Sequence, residues 1–114
     1  MPFDPLDFLS LAESLVAGSQ PDEAQLRTAV GRAYYAVFLR AREDLLAQNR
    51  IATSGTGADH GIVVAGLRQR DQTLGDQLDW LRVRRARADY RLGSPVASGA
   101  ASIVQVARSV ARRL

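Results

Sequence analysis

The sequence predicts an all-α fold, a compact bundle of four to five helices. Apolar residues recur at the three- and four-residue spacing of helix faces through most of the chain. No stretch of useful length alternates apolar and polar residues as a half-buried strand does. Helix-capping residues stand where most of the periodic runs begin. At 114 residues the chain is one domain, 1–114, large enough to bury a core without metals or disulfides.

The elements follow in order. Asp4 as N-cap with Pro5 at the first helical position opens a first helix, which carries Leu6, Leu9, Leu11 and Leu15 and stops at Gly18. Ser19 to Asp22 form a turn. A long second helix is then expected from about Asp22 to Asn49, with Leu26, Ala29, Val30, Ala33, Tyr34, Val37, Phe38, Ala41 and Leu45 on its apolar face. Ser54-Gly55-Thr56-Gly57 has loop composition, and Asp59 can cap a third helix reaching Arg70. Asp71 to Thr73 break the pattern before a fourth helix from Leu74 to Tyr90, which ends near Gly93, Ser94 and Pro95. A fifth helix, capped by Ser98 and carrying Ile103, Val104, Ala107 and Ala111, runs to the C-terminus. Both long helices carry apolar residues off their main stripe, Tyr35 among them, which fits a second buried surface such as a homodimer interface.

Composition removes several functional classes. With no Cys and a single His, disulfides and thiol nucleophiles are excluded and a zinc site lacks ligands, so no metal or cofactor is expected. Ser54 to Gly57 is no Walker loop, because that motif needs a lysine and the chain has none. Met1 to Ser10 hold two aspartates and no basic residue, unlike an export signal, and the expected location is cytoplasmic. Ala33 to Leu39, among the longest apolar runs, reaches only about a third of a bilayer span, so no membrane partner is expected. The net charge is +3, and all fifteen basic residues are arginine. A G+C-rich genome produces the same bias, so the placement of the arginines carries the argument.

On the fourth helix Leu74, Leu78, Leu81, Ala88 and Leu92 define one stripe, and Arg85 falls inside it. A guanidinium keeps its charge, so one facing a core must meet carboxylates, carbonyls or an anionic ligand. Two readings stand: a phosphate-binding arginine in a cleft, or an internal ion pair with Asp89 four residues on. Arg82 is placed near Asp89 on the rim of that face. Arg84, Arg87 and Arg91 point away with Trp80, as a solvated face or as a positive surface for RNA. Val83 and Tyr90 lie on another side, where packing or base stacking would use them. His60, the one side chain titrating near neutrality, is either a general acid or base or a structural residue at a helix start.

Arg27-Thr-Ala-Val-Gly-Arg-Ala-Tyr-Tyr-Ala-Val-Phe-Leu-Arg-Ala-Arg-Glu-Asp-Leu45 and Leu81-Arg-Val-Arg-Arg-Ala-Arg-Ala-Asp-Tyr90 together resemble the HEPN superfamily (higher eukaryotes and prokaryotes nucleotide-binding). The resemblance spans roughly Phe8 to Leu92. It implies an up-and-down, HEPN-like bundle that dimerises, with helix four lining a cleft between subunits. Many members are metal-independent endoribonucleases in which an arginine stabilises charge on the scissile phosphate and a following histidine moves protons. Arg85 matches that arginine, whereas Tyr90 stands at the histidine position and Ala86 where a polar residue is common. Tyrosine titrates near about 10 in water and shuttles protons poorly at neutral pH.

The resemblance therefore implies a toxin or defence-type RNA-binding module. It acts either as an endoribonuclease or as a non-catalytic module binding a nucleotide, RNA or partner protein through the Arg85 cleft. The implied catalytic residues are Arg85, Asp89 and Tyr90, and the implied RNA- or nucleotide-binding residues are Arg82, Arg84 and Arg87. A nucleotidyltransferase antitoxin encoded nearby is the implied partner. In some toxins such an enzyme modifies a tyrosine two residues beyond the histidine; that position is Leu92 here.

Overall fold

A computed structural model describes residues 3–52, 59–96 and 99–114. It holds five helices, α1 (Leu6–Ala17), α2 (Glu23–Ala47), α3 (Asp59–Arg70), α4 (Gln72–Tyr90) and α5 (Ala100–Arg112), and no strand among the described residues. None of these helices is long and apolar enough to cross a membrane.

The architecture is organised around α2. Its buried residues include Ala29, Val30, Ala33, Tyr34, Ala36, Val37 and Phe38, more than one face of a helix can supply. A helix apolar on several sides is a central helix, and α2 packs against each of the other four. The alanines matter because small side chains let neighbouring helices come close. By contrast, α5 buries Ala100, Ile103, Val104, Ala107 and Val110 along one stripe and keeps its opposite face wet. It is tied to α1 by the fork between Arg108 and Glu13, with Nε to Oε2 at 2.9 Å and Nη2 to Oε1 at 2.6 Å. That hydrogen bonding draws the Glu13 carboxyl below its usual range.

The helix boundaries follow local chemistry, with four differences from the sequence expectation. The Asp4 carboxylate does accept from the Leu6 amide at 2.9 Å, but α1 starts at Leu6 with Pro5 in the cap position. Asp22 caps α2 as half of a capping box with Gln25. Asp59 is the first residue of α3 and is buried, so it sits in the first turn rather than before it. The expected break at Asp71 to Thr73 shrinks to Asp71 alone, because its extended backbone lets the carboxylate cap the Thr73 and Leu74 amides; α4 therefore begins at Gln72. Leu92 does not extend the α4 stripe: the helix ends at Tyr90, Arg91 leaves helical geometry, and Leu92 is 79% exposed. The Ser98 cap and the Ser54 to Gly57 loop lie outside the described residues; α5 begins after Gly99.

Gly75 marks a close approach of α4 to α3. A Cβ there would lie 2.9 Å from both the Arg68 nitrogen and the Val64 carbonyl oxygen, so the α3–α4 contact depends on the missing side chain.

Candidate anion-binding groove

Both α1 and α4 lean on α2, yet they do not touch each other. The strip of α2 between them is left as the floor of an open groove of about 530 Å³. Residues spaced four apart on α2, Arg27, Gly31, Tyr35 and Leu39, run along this floor; Phe8 stands on the α1 side, Arg85 and Asp89 on the α4 side.

Two guanidiniums converge on one ring. The Arg32 carbon Cζ lies 5.2 Å from the Tyr35 ring centroid, and the Arg85 Cζ lies 5.1 Å from it. Arg32 is also 5.0 Å from the Phe8 centroid. Such contacts stabilise by about 0.5–1 kcal/mol each where solvent reaches. Arg85 has further partners: Nη2 donates to the Tyr35 hydroxyl at 2.8 Å, and Nε lies 3.0 Å from Asp89 Oδ2. The Nε atom is shielded from solvent and makes no hydrogen bond, so the Asp89 contact is an ion pair by distance without a directed N–H bond. Arg32 has no carboxylate partner among the described residues.

Arg27, the third arginine of the groove, is already committed. It pairs with Glu23 at 3.0 Å and donates to the carbonyls of Ala88, Arg91 and Ser94 at 2.7, 3.2 and 2.8 Å. Ala88 belongs to the last turn of α4, whose carbonyls lack helical partners. A cation there also suits the negative end of the helix dipole. Arg27 thus holds the end of α4 and the segment after it against α2. With Arg27 so engaged and Asp89 facing Arg85, the unneutralised charge of the groove resides on Arg32.

The structure joins Arg85 and Asp89, as the ion-pair reading expects. It does not bring Tyr90 to them: Tyr90 is 74% exposed at the end of α4 and does not line the groove. Arg82 pairs with Asp79 at 3.4 Å, one turn back on its own helix, rather than with Asp89. Arg84 and Arg87 lie on a separate face beside α5. Tyr35, the off-stripe residue that suggested a dimer surface, is engaged within the chain by Arg85.

His60 also lies apart from the groove. Its Nδ1 is 2.6 Å from the Tyr34 hydroxyl, its Nε2 is 3.4 Å from Asp79 Oδ1, and its ring stacks on Phe38. A carboxylate can only accept, so Nε2 carries the proton and Nδ1 accepts from the tyrosine. Burial pushes the His60 pKa below its ordinary value, against the raising influence of the Asp79 hydrogen bond. Burial likewise raises the Tyr34 pKa. For Asp79, burial pushes upward but is outweighed by hydrogen bonds from His60 and Arg82, leaving its pKa lowered. The chain's one histidine is thus held neutral in a structural link between α2, α3 and α4.

Sequence reasoning assigned no role to Arg27 or Arg32 and placed Tyr35 on a second buried surface rather than in a binding site. The available signal was their common position on α2 around Gly31, Arg27 four residues before it, Arg32 one and Tyr35 four residues after it, where two arginines and a phenol interrupt the apolar residues. Among the described residues no group of three His, Asp or Glu side chains is arranged to hold a metal ion. Comparison with protein-family models, with curated proteins and with solved structures finds no match to this chain.

Proposed function

We propose that this chain is an RNA-binding module of the HEPN type that grips phosphate groups in the groove between α1, α2 and α4 and binds without cutting. The observation that carries this reading is the pair of guanidiniums on the Tyr35 ring, one of them, Arg32, without a carboxylate partner among the described residues. A planar guanidinium offers paired N–H groups to phosphate oxygens. An aromatic ring beneath it holds the fork in place without neutralising it.

Binding is favoured over cleavage because neither the histidine nor Tyr90 lines the groove, and the carboxylate that does, Asp89, faces Arg85. His60 is tied to Tyr34 and Asp79, and Tyr90 points into solvent. Phosphodiester cleavage by attack of the sugar hydroxyl needs a base for that hydroxyl and an acid for the leaving oxygen. The homodimer and the nucleotidyltransferase partner belong to the same proposal, through the resemblance of the α2 and α4 segments.

The test is equilibrium binding of a labelled single-stranded RNA by fluorescence polarisation, with a gel assay for cleavage in the presence of a chelator. Arg32→Gln is the cleanest perturbation, since it leaves no carboxylate unpaired. Losing a hydrogen bond to a charged group costs about 1.5–3 kcal/mol, so binding should weaken roughly 10- to 150-fold. Absence of RNA binding by the unaltered chain refutes the proposal. Metal-independent cleavage that disappears in Arg85→Ala would replace it with the endoribonuclease reading.

A further inference from the structure

A second cationic site lies around α4 from the groove. Trp80, Arg84, Arg87 and Arg91 recur at intervals of four, three and four residues, which places them in one stripe along the helix. The stripe rises by about 16 Å at 1.5 Å per residue. Arg84, Arg87 and Arg91 line a cavity of about 420 Å³ closed on its other side by Ser94 to Val96 and the beginning of α5. No acidic residue lines it, and none of its three guanidiniums has an ion-pair partner among the described residues. Gly99, which precedes the first residue of α5, also lines this cavity, so the positive end of a 13-residue helix dipole adds to the field.

Trp80 is 36% exposed, and the Arg84 Cζ lies 4.5 Å from its ring centroid. Trp80 also lines a neighbouring cavity of about 390 Å³ with Thr73, Asp76, Gln77 and Val106, where the Asp76 carboxylate is paired with Arg68 at 2.9 Å. The Trp80–Arg84 stack therefore stands where the two cavities share a border. Three cations in file with a stacked indole and guanidinium combine a track for phosphates with flat surfaces for unpaired bases. An acidic peptide would use the cations and leave the indole idle. A duplex would keep its bases stacked on one another and out of reach.

We infer that the face of α4 turned toward α5 is a binding track for single-stranded nucleic acid, with Arg84, Arg87 and Arg91 on the phosphates and Trp80 stacking a base. It shares its ligand class with the groove reading but stands on different residues.

Trp80 is the only tryptophan in the chain, so its fluorescence reports on this face alone. The probe is a single-stranded oligouridylate of about 12 nucleotides, near the upper site size of a compact binding fold. Saturable quenching of Trp80 is expected. Three phosphate contacts give a salt slope of about −2 in log affinity against log salt, or roughly a 20-fold loss between about 50 and about 200 mM salt. The Arg84→Gln, Arg87→Gln, Arg91→Gln variant should lose at least about tenfold in affinity and most of that slope. Its thermal melt, unchanged from the parent, verifies folding, and Arg50→Gln, an exposed position elsewhere, should leave the quenching as it is.

Absence of quenching, unaltered affinity in the triple variant, or equal quenching by an oligoglutamate peptide would each overturn the inference. Arg32→Gln separates the two sites. If the groove reading fails and this one holds, Arg32→Gln has no effect on RNA binding while the triple variant abolishes Trp80 quenching; the reverse pattern sinks this inference and leaves the groove standing.

Discussion

Among the described residues Asp89 is the one carboxylate lining the groove, and replacing it with asparagine should tighten binding of a phosphate ligand. The Arg85 Nε and Asp89 Oδ2 atoms are 3.0 Å apart. In a medium of effective dielectric constant near 20, charges at that distance would attract by about 5 kcal/mol. Their side chains are 24% and 37% exposed, however, and the pair has no directed hydrogen bond. Solvent screening and side-chain ordering reduce such a pair to about 0.5–1 kcal/mol.

An incoming phosphate must draw Arg85 away from Asp89 and approach a like charge as well. Removing the carboxylate returns the first contribution and relieves a repulsion of about 0.7 kcal/mol for charges roughly 6 Å apart in water. The sum, about 1–2 kcal/mol, corresponds to roughly 5- to 30-fold tighter binding. Asparagine keeps the shape of the side chain, and the fold should lose at most about 0.5 kcal/mol with a pair of this kind. Isothermal titration or polarisation with a short RNA at low salt measures the change. Unchanged or weaker binding by Asp89→Asn would refute the reasoning and show that Asp89 contacts the ligand or orients Arg85 for it.

Three further outcomes follow from the packing and the buried polar groups. Arg27→Met keeps the aliphatic stem but leaves the Ala88, Arg91 and Ser94 carbonyls without their donor, so urea denaturation should show a loss of about 2–4 kcal/mol and amide exchange should rise in residues 91–96; a loss under about 0.5 kcal/mol with unchanged exchange contradicts the clamp. Gly75→Ala and Gly61→Ala should have opposite signs. At Gly75 the new Cβ meets two backbone atoms at 2.9 Å, and about 1–3 kcal/mol of overpacking or more should exceed the roughly 1 kcal/mol gained in helix propensity, whereas Gly61 has open space and should gain stability. Melting temperatures that move in the same direction for both would count against the close α3–α4 approach.

Near neutrality the pH dependence is set by His60. Its folded pKa is depressed, so the unfolded chain takes up the proton first, and the contribution of the neutral histidine is complete above the ordinary value of 6.5 and is lost as pH falls through the lowered folded pKa. Stability should therefore decline below about pH 6.5 with a slope of at most about 1.4 kcal/mol per pH unit from this group. His60→Gln should flatten the decline; parallel curves for the two chains would rule out the histidine as its source.

Much of the fold was legible because its signals are local. The start of α2 near Asp22, the stop at Gly18 and the apolar file from Leu26 to Leu45 each rest on signals a few residues long, and so does the Arg85–Asp89 pair at four-residue spacing. What went unread or astray lies where local rules give more than one answer. Arg82, placed near Asp89 on one face, has aspartates both before and after it on α4, and it pairs with the nearer one, Asp79, which His60 also engages. Leu92 keeps the helical spacing, yet Arg27 receives the chain at Arg91 and Ser94 and the helix does not continue to it.

By itself the sequence determined an all-helical chain, the approximate limits of its five helices and an arginine in α4 that requires a polar partner. The tertiary structure decided everything that depends on which helices fail to meet. Because α1 and α4 both press on α2 without reaching each other, a strip of α2 stays open, and there Tyr35 meets an arginine fifty positions away. Contacts of that range leave no mark on local periodicity, since their partners are chosen by helix packing rather than by spacing along the chain.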